Sequence, residues 1–192
     1  MLDMSRGGGT EKCTAFLSGA LAEKGYEVYG CDLSDETNEF AVSSGFVCAA
    51  SKDPKDYIKI VDTIVIGLYP KDIVPFLLKY QPYFNENQVI TDVCGTKSSI
   101  RKIATNTALP AKFVGSHPMA GKEKVGIEYA DEMIFKGTNF LMCPIEITNQ
   151  KAIDVVGQMA KDLGFGHIHQ ISPKFHDEMI AYTSQLTHAI AV

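Results

Sequence analysis

Apolar residues along this chain follow two rhythms. Short unbroken runs, of which Ile64-Val65-Ile66-Gly67-Leu68 is the clearest, alternate with longer stretches in which apolar residues recur every three or four positions. A strand covered by helices on both faces needs an unbroken run, so these runs predict buried strands of a parallel sheet. Strands are expected at Glu27 to Leu33, Phe46 to Ala49, Ile64 to Leu68, Gln88 to Val93, Phe113 to Gly115, Asn139 to Cys143 and His167 to Ile171. Helices are expected at Thr14 to Lys24, Asp35 to Ser44, Lys71 to Lys79, Lys97 to Thr107 and Lys151 to Leu163. Gly25 is placed to close the first helix, and Ile153, Val156, Ala160 and Leu163 give the last a buried stripe. Strand and helix alternating in this way define βαβ units, hence an α/β fold built on a mostly parallel sheet.

Both ends depart from that alternation. A doubly wound sheet opens on an apolar strand running into a glycine turn, yet Met1 to Arg6, ahead of Gly7-Gly8-Gly9, contain no β-branched residue. The first strand is therefore expected to be absent or replaced. At the other end Ser172 and Pro173 form an N-cap and N1 pair. Phe175, Met179, Tyr182, Leu186 and Ile190 then keep helical spacing to the last residue with no stop signal. The expected organisation is one domain over residues 1–171 and the first helix of a second, cut short, over residues 172–192.

The 192 residues carry 18 basic and 23 acidic side chains, a net charge of −5, with an isoelectric point near 5.5. That balance argues against nucleic acid or an anionic membrane as partner and leaves small molecules. With 45% apolar and 21% charged residues, the chain is a folded globular protein over most of its length. Cysteines at 13, 31, 48, 94 and 143 are odd in number and form no C-x-x-C pair, so neither a zinc ribbon nor a disulfide framework is suggested and a reducing cytoplasm fits best. No apolar run approaches the roughly 18 residues of a membrane helix, and the start lacks a signal-peptide core. His167 and His169 share one strand face but lack a third ligand nearby, so no metal site is expected.

The strongest local motif is Gly115-Ser116-His117-Pro118-Met119-Ala120-Gly121, directly after an expected strand. Open α/β sheets bind ligands at the carboxyl ends of their strands, and a histidine there suits proton transfer near neutral pH. Read from the residues alone, His117 is either that base or a loop histidine bonded to nearby backbone.

This motif, continued by Lys122-Glu123-Lys124-Val125-Gly126-Ile127-Glu128-Tyr129, resembles the histidine loop of prephenate and arogenate dehydrogenases. Asp92-Val93-Cys94-Gly95-Thr96-Lys97 is similar to that family's loop after its fifth strand. Ser172-Pro173-Lys174-Phe175-His176-Asp177 and Ser184-Gln185-Leu186-Thr187-His188-Ala189 are similar to the entry of its helical domain. The likeness runs in order from about residue 14 to 192. It implies a Rossmann-like domain followed by an all-α dimerisation domain, a homodimer when that domain is complete. The implied activity is NAD-dependent oxidative decarboxylation of prephenate to 4-hydroxyphenylpyruvate, with arogenate as the close alternative substrate and a catalytically silent binding module as the contrasting reading.

The same resemblance assigns residues. His117 is the catalytic histidine bonded to the substrate hydroxyl. The family's orienting serine is replaced by Gly95, so that its role passes to Thr96 or is missing, and His188 lies near the substrate. Ser116, Gly121 and Lys122 beside His117, with Gln185 where a histidine is frequent, are the substrate-side candidates. Lys97 is assigned to its helix or loop, Cys94 to a small buried position beside the cofactor, and His176 to the helix entry. Cofactor contacts fall to Gly9, Asp32, Leu68, Tyr69, Pro70, Cys94 and Gly95. The carboxylate of Asp32 accepts from a ribose 2′-hydroxyl and repels a 2′-phosphate, favouring NAD. The family's three phosphate-loop glycines align with Gly9, Glu11 and Thr14, so NAD binding is expected to be weak. The arginine that binds substrate carboxylate in the family has no counterpart here, where Arg6 and Arg101 are the only arginines.

Overall fold

The computed structural model describes residues 9–109, 112–120 and 134–185. The described residues open with helix α1 (Gly9–Glu23), which Gly25 ends by taking a φ of +85° while Tyr26 N–H reaches back to Leu21 O at 3.1 Å. Strand β1 (Tyr29–Cys31) leads into α2 (Asp35–Ser43), capped by Ser34, whose Oγ accepts the Thr37 N–H. Then follow β2 (Ala49–Ser51), the short α3 (Lys55–Ile58), β3 (Thr63–Ile66), α4 (Pro70–Tyr80) with a 3₁₀ turn, and β4 (Val89–Asp92). Helix α5 (Ser98–Asn106), β5 (Phe113–Met119), β6 (Asn139–Cys143), α6 (Gln150–Asp162), β7 (His167–Gln170) and α7 (Pro173–Ile180) complete the order.

Five strands form a sheet in the order β3-β4-β5-β6-β7, parallel throughout except at β5–β6, while β1 and β2 form a separate parallel pair. Successive strand residues serve opposite faces. Val89 and Val114 pack with Leu17 and Leu21 of α1 and Val156 and Met159 of α6. Ile90 and Phe113 pack with Ile73 and Leu77 of α4 and Ile100 and Ile103 of α5. Helices on both faces are what the unbroken runs required.

Several boundaries differ from the sequence pattern. Helix α1 begins at Gly9 rather than Thr14, so Glu11 and Thr14 stand inside it. The strand expected at 46–49 lies at 49–51, because Phe46 instead lays its ring against Gly19, where a Cβ would come within 2.8 Å of Phe46 Cδ1. Strand β5 does not stop at Gly115: its second half pairs antiparallel with β6, from Gly115↔Cys143 to Met119↔Asn139. The last helix is not one continuous stripe either, for α7 passes into a π-helical turn at Ala181–Gln185. Its expected inward residues Phe175, Met179 and Tyr182 are 50%, 42% and 71% exposed, whereas His176 and Ile180 are buried.

Candidate functional site

Strand β4 makes its last pairing at Asp92↔Gly115, and β5 continues past it, carrying His117 beyond the carboxyl edge of the parallel strands. His117 is thus a strand residue at the ligand-binding edge, not a loop residue. Opposite it stands α7. His117 Nδ1 lies 2.9 Å from His176 Nε2, and His176 Nδ1 lies 2.8 Å from Asp177 Oδ1, which also accepts the Lys97 backbone N–H at 2.7 Å.

A carboxylate only accepts, so Asp177 fixes the proton of His176 on Nδ1 and leaves His176 Nε2 as an acceptor. His117 must then donate from Nδ1, which leaves its own Nε2 as a lone-pair acceptor. That nitrogen faces Gly95: a Cβ there would lie 3.8 Å from it. Burial first, then the Lys97 ammonium and His176, push the His117 imidazole down to about 3 against the opposing pull of Asp177. Burial likewise lowers His176, opposed by its bond to Asp177. Both rings are neutral near pH 7.

The loop beneath is locked by a buried ion pair. Lys97 Nζ lies 2.6 Å from Asp92 Oδ2 and 2.8 Å from Cys94 O, with both side chains essentially inaccessible to solvent. Asp92 further accepts the Cys94 N–H at 3.0 Å and the Ser116 N–H at 3.2 Å, joining the loop after β4 to the strand that bears His117. Gly115 leaves the room that Ile100 and the stem of Lys97 take over β5.

The other expected site residues fall unevenly around this centre. Gly95 borders His117. Thr96 is half-buried in the same loop and makes no hydrogen bond to His117, so the geometry gives it no hold on that ring. Cys94 is fully buried, its Sγ donating to Leu68 O at 2.9 Å and its thiol pushed up to about 12 by burial, and its backbone N–H and C=O are already bonded to Asp92 and Lys97, so it holds the loop rather than a ligand. Ser116 is a correction: its hydroxyl is buried and bonded to Thr91 Oγ1 at 2.7 Å, on the sheet face opposite His117, and is not open to a substrate. Leu68 and Tyr69 form the turn from β3 into α4, which Pro70 opens. Asp32 directly follows β1, buried, with Oδ1 accepting the Ser34 N–H at 2.8 Å. Gly9 is the first residue of α1, and Gln185 closes the π-helical turn. Gly121, Lys122 and His188 lie outside the described residues.

Sequence reasoning missed His176 and Asp177, which it assigned to helix entry. The usable signal was the His-Asp dipeptide one turn after a Ser-Pro cap. It was hidden because the apolar stripe pointed to the neighbouring face.

Residues 17–169 match the family described as prephenate dehydrogenase, nucleotide-binding domain. The chain belongs to this family. Among curated relatives, the prephenate dehydrogenase of Bacillus subtilis is 28% identical over 87% of this chain and 45% of its own length. The cyclohexadienyl dehydrogenase of Zymomonas mobilis is 25% identical over 72% and 47%. This family member therefore spans about half the length of the curated relatives it matches. Of solved structures, Synechocystis arogenate dehydrogenase superposes with a TM-score of 0.80 at 28% identity, covering 90% of this chain and 60% of that one. The Aquifex aeolicus prephenate dehydrogenase, in complex with hydroxyphenyl propionate and NAD+, superposes at 0.84 with 24% identity over 93% and 63%, a likeness of fold. The family match begins at residue 17, beyond Gly9, Glu11 and Thr14, where the sequence departs from the glycine pattern.

Proposed function

We propose that this chain is the nucleotide-binding half of an NAD-linked dehydrogenase that oxidises prephenate, with loss of carbon dioxide, to 4-hydroxyphenylpyruvate. The observation that carries the reading is the His117–His176–Asp177 chain, which presents Nε2 of His117 as a neutral acceptor beside the loop after β4.

The residues fit a dinucleotide at two places and poorly at a third. Asp32 directly follows β1, where a ribose hydroxyl would be met, and the turns 67–69 and 93–96 offer backbone at the strand edge. Against this, α1 carries Glu11 in its first turns and a buried Thr14 packed on Gly67. NAD affinity is accordingly weak on this reading, and submicromolar binding in calorimetry would overturn that part of it.

When bound, the nicotinamide supplies the hydride acceptor. His117 takes the hydroxyl proton at Nε2 as hydride leaves the carbinol carbon and the ring carboxylate departs as carbon dioxide. Held at about 3, the free imidazole is unprotonated near pH 7 and open to a hydroxyl hydrogen bond, but it is a weak base. A dianionic substrate beside it supplies the negative charge that raises its basicity when needed. His176 and Asp177 hold the tautomer, and Lys97 holds the loop.

Turnover tests this directly. Protein mixed with NAD and either prephenate or arogenate is followed at the NADH absorbance band. The reading expects a signal with prephenate, and His117→Asn reducing it by about 10²- to 10⁴-fold. A signal unaffected by that substitution sinks the assignment. A thermal shift with substrate but no NADH favours a silent binding module.

A further inference from the structure

Of the five histidines, His117 and His176 are paired with each other, which leaves His167 and His169 as the exposed imidazoles among the described residues. They stand at alternate positions of β7, the outer strand of the five-stranded sheet, so both side chains leave the same face. Their rings lie nearly parallel, 24° apart in plane, with centroids 6.2 Å from one another. Neither ring has a hydrogen-bond partner among the described residues, so their nitrogens are open to a ligand. On that face Leu141 of β6 is the register partner of both His169 and His117. The pair therefore sits two strands, about 10 Å, from the candidate base and apart from it.

We propose that His167 and His169 chelate one transition-metal dication, copper(II) foremost, through one nitrogen of each ring, with water completing its coordination. Imidazole is a neutral nitrogen donor that suits copper, nickel and zinc rather than the hard, oxygen-seeking magnesium and calcium, and the order of divalent affinities peaks at copper. Two ring nitrogens held about 2.0 Å from one ion at a square or tetrahedral angle put the centroids about 4.5–5 Å apart, so the rings must close by about 1–2 Å. Both side chains are exposed, and turning them within their rotamers moves nothing that is packed. No third His, Cys, Asp or Glu joins the pair among the described residues, which argues against a closed structural zinc site. A chelate does not require one: once the first imidazole is bound, the second meets the ion at high effective concentration, and that separates this pair from a lone surface histidine.

The test uses the untagged 192-residue protein with copper(II), zinc(II) or magnesium(II) chloride alone, without NAD or substrate. Calorimetry is expected to show one copper(II) per chain, bound more tightly than zinc(II), and no heat with magnesium(II). His167→Gln and His169→Gln each weaken copper(II) binding by about tenfold or more, whereas His188→Gln leaves it unchanged. Substoichiometric copper(II) broadens the imidazole NMR signals of His167 and His169 ahead of those of His117 and His176. Binding unaltered by either strand substitution, loss from only one of them, or an equal loss from His188→Gln overturns the proposal. So does one copper(II) per two chains with a copper-dependent dimer, which replaces the water-completed site with one shared between copies.

Discussion

Replacing Lys97 by Met keeps most of the stem that packs over Gly115 and removes only the buried ammonium. Three consequences follow from the geometry. Asp92 is left as a buried carboxylate with two backbone N–H donors but no counter-charge, and Cys94 O loses a donor that stood 2.8 Å away. Breaking one partner of a buried pair costs about 3–5 kcal/mol, because the surviving charge is uncompensated. At a urea slope of about 2 kcal/mol per M, the unfolding midpoint should fall by roughly 1.5–2.5 M with the slope unchanged. The third consequence is electrostatic. The ammonium is one of the influences holding His117 down, so its loss should raise that imidazole from about 3.

The decisive arm is the double variant Asp92→Asn with Lys97→Met. Removing both charges eliminates the orphaned carboxylate, so the double variant should recover most of the stability lost by the single one. Urea titrations of the three proteins, with histidine NMR titrations of the first two, give both readouts. A Lys97→Met loss below about 1 kcal/mol, or a double variant as unstable as the single one, would refute the view that this pair clamps the loop after β4 to β5.

His176→Leu should remove the acceptor of His117 Nδ1, let the ring take the Nε2–H tautomer, and lower kcat by about 10²-fold with less change in KM. Asp177→Asn is its conservative partner, since the amide oxygen can still accept from both His176 and Lys97, and nitrogen chemical shifts should show the wild-type tautomer retained. Gly95→Ser places a hydroxyl within reach of His117 Nε2 without a clash, so stability should change by less than about 0.5 kcal/mol while the Nε2 resonance moves. An unmoved resonance would place that side chain elsewhere. Both buried histidines titrate below their unfolded value, so the unfolded chain binds more protons below about pH 6.5. Stability should therefore be full above that pH and fall toward pH 3, by at most about 1.4 kcal/mol per unit for each ring. A His117→Gln, His176→Leu double variant should flatten this slope.

Much of the scaffold was readable because burial on both faces writes itself as unbroken runs: Asn139–Cys143 and the turn at Gly25 stand where the pattern put them. Strand β5 was cut short for a physical reason. Gly115 and Pro118 are turn-formers, and a proline in a run argues against a strand. Pro118 is tolerated because β4 has already ended at Asp92, so on that side there is no ladder bond for its missing N–H to break. The helix after Ser172 was read one residue out of phase. Apolar periodicity ranks Phe175 and Met179 above a histidine for the inward face, yet His176 is buried because two hydrogen bonds satisfy its ring nitrogens. No periodicity rule registers partners that are remote in sequence, and His117 and His176 are such a pair.

That pairing bears on where the functional unit ends. A chain stopped at Ile171 would keep the seven strands of the described residues and the Asp92–Lys97 pair, because none of them depends on α7. It would nevertheless lose the acceptor for His117 Nδ1 and the acceptor for the Lys97 N–H, both of which α7 supplies. His117 would then be free to carry its proton on Nε2, the wrong nitrogen for receiving one from a hydroxyl. For the role proposed for His117, the sheet positions the ring but the first helix beyond the sheet decides which nitrogen is left as acceptor, so a boundary drawn at residue 171 divides the chain in sequence and not in that hydrogen-bond chain.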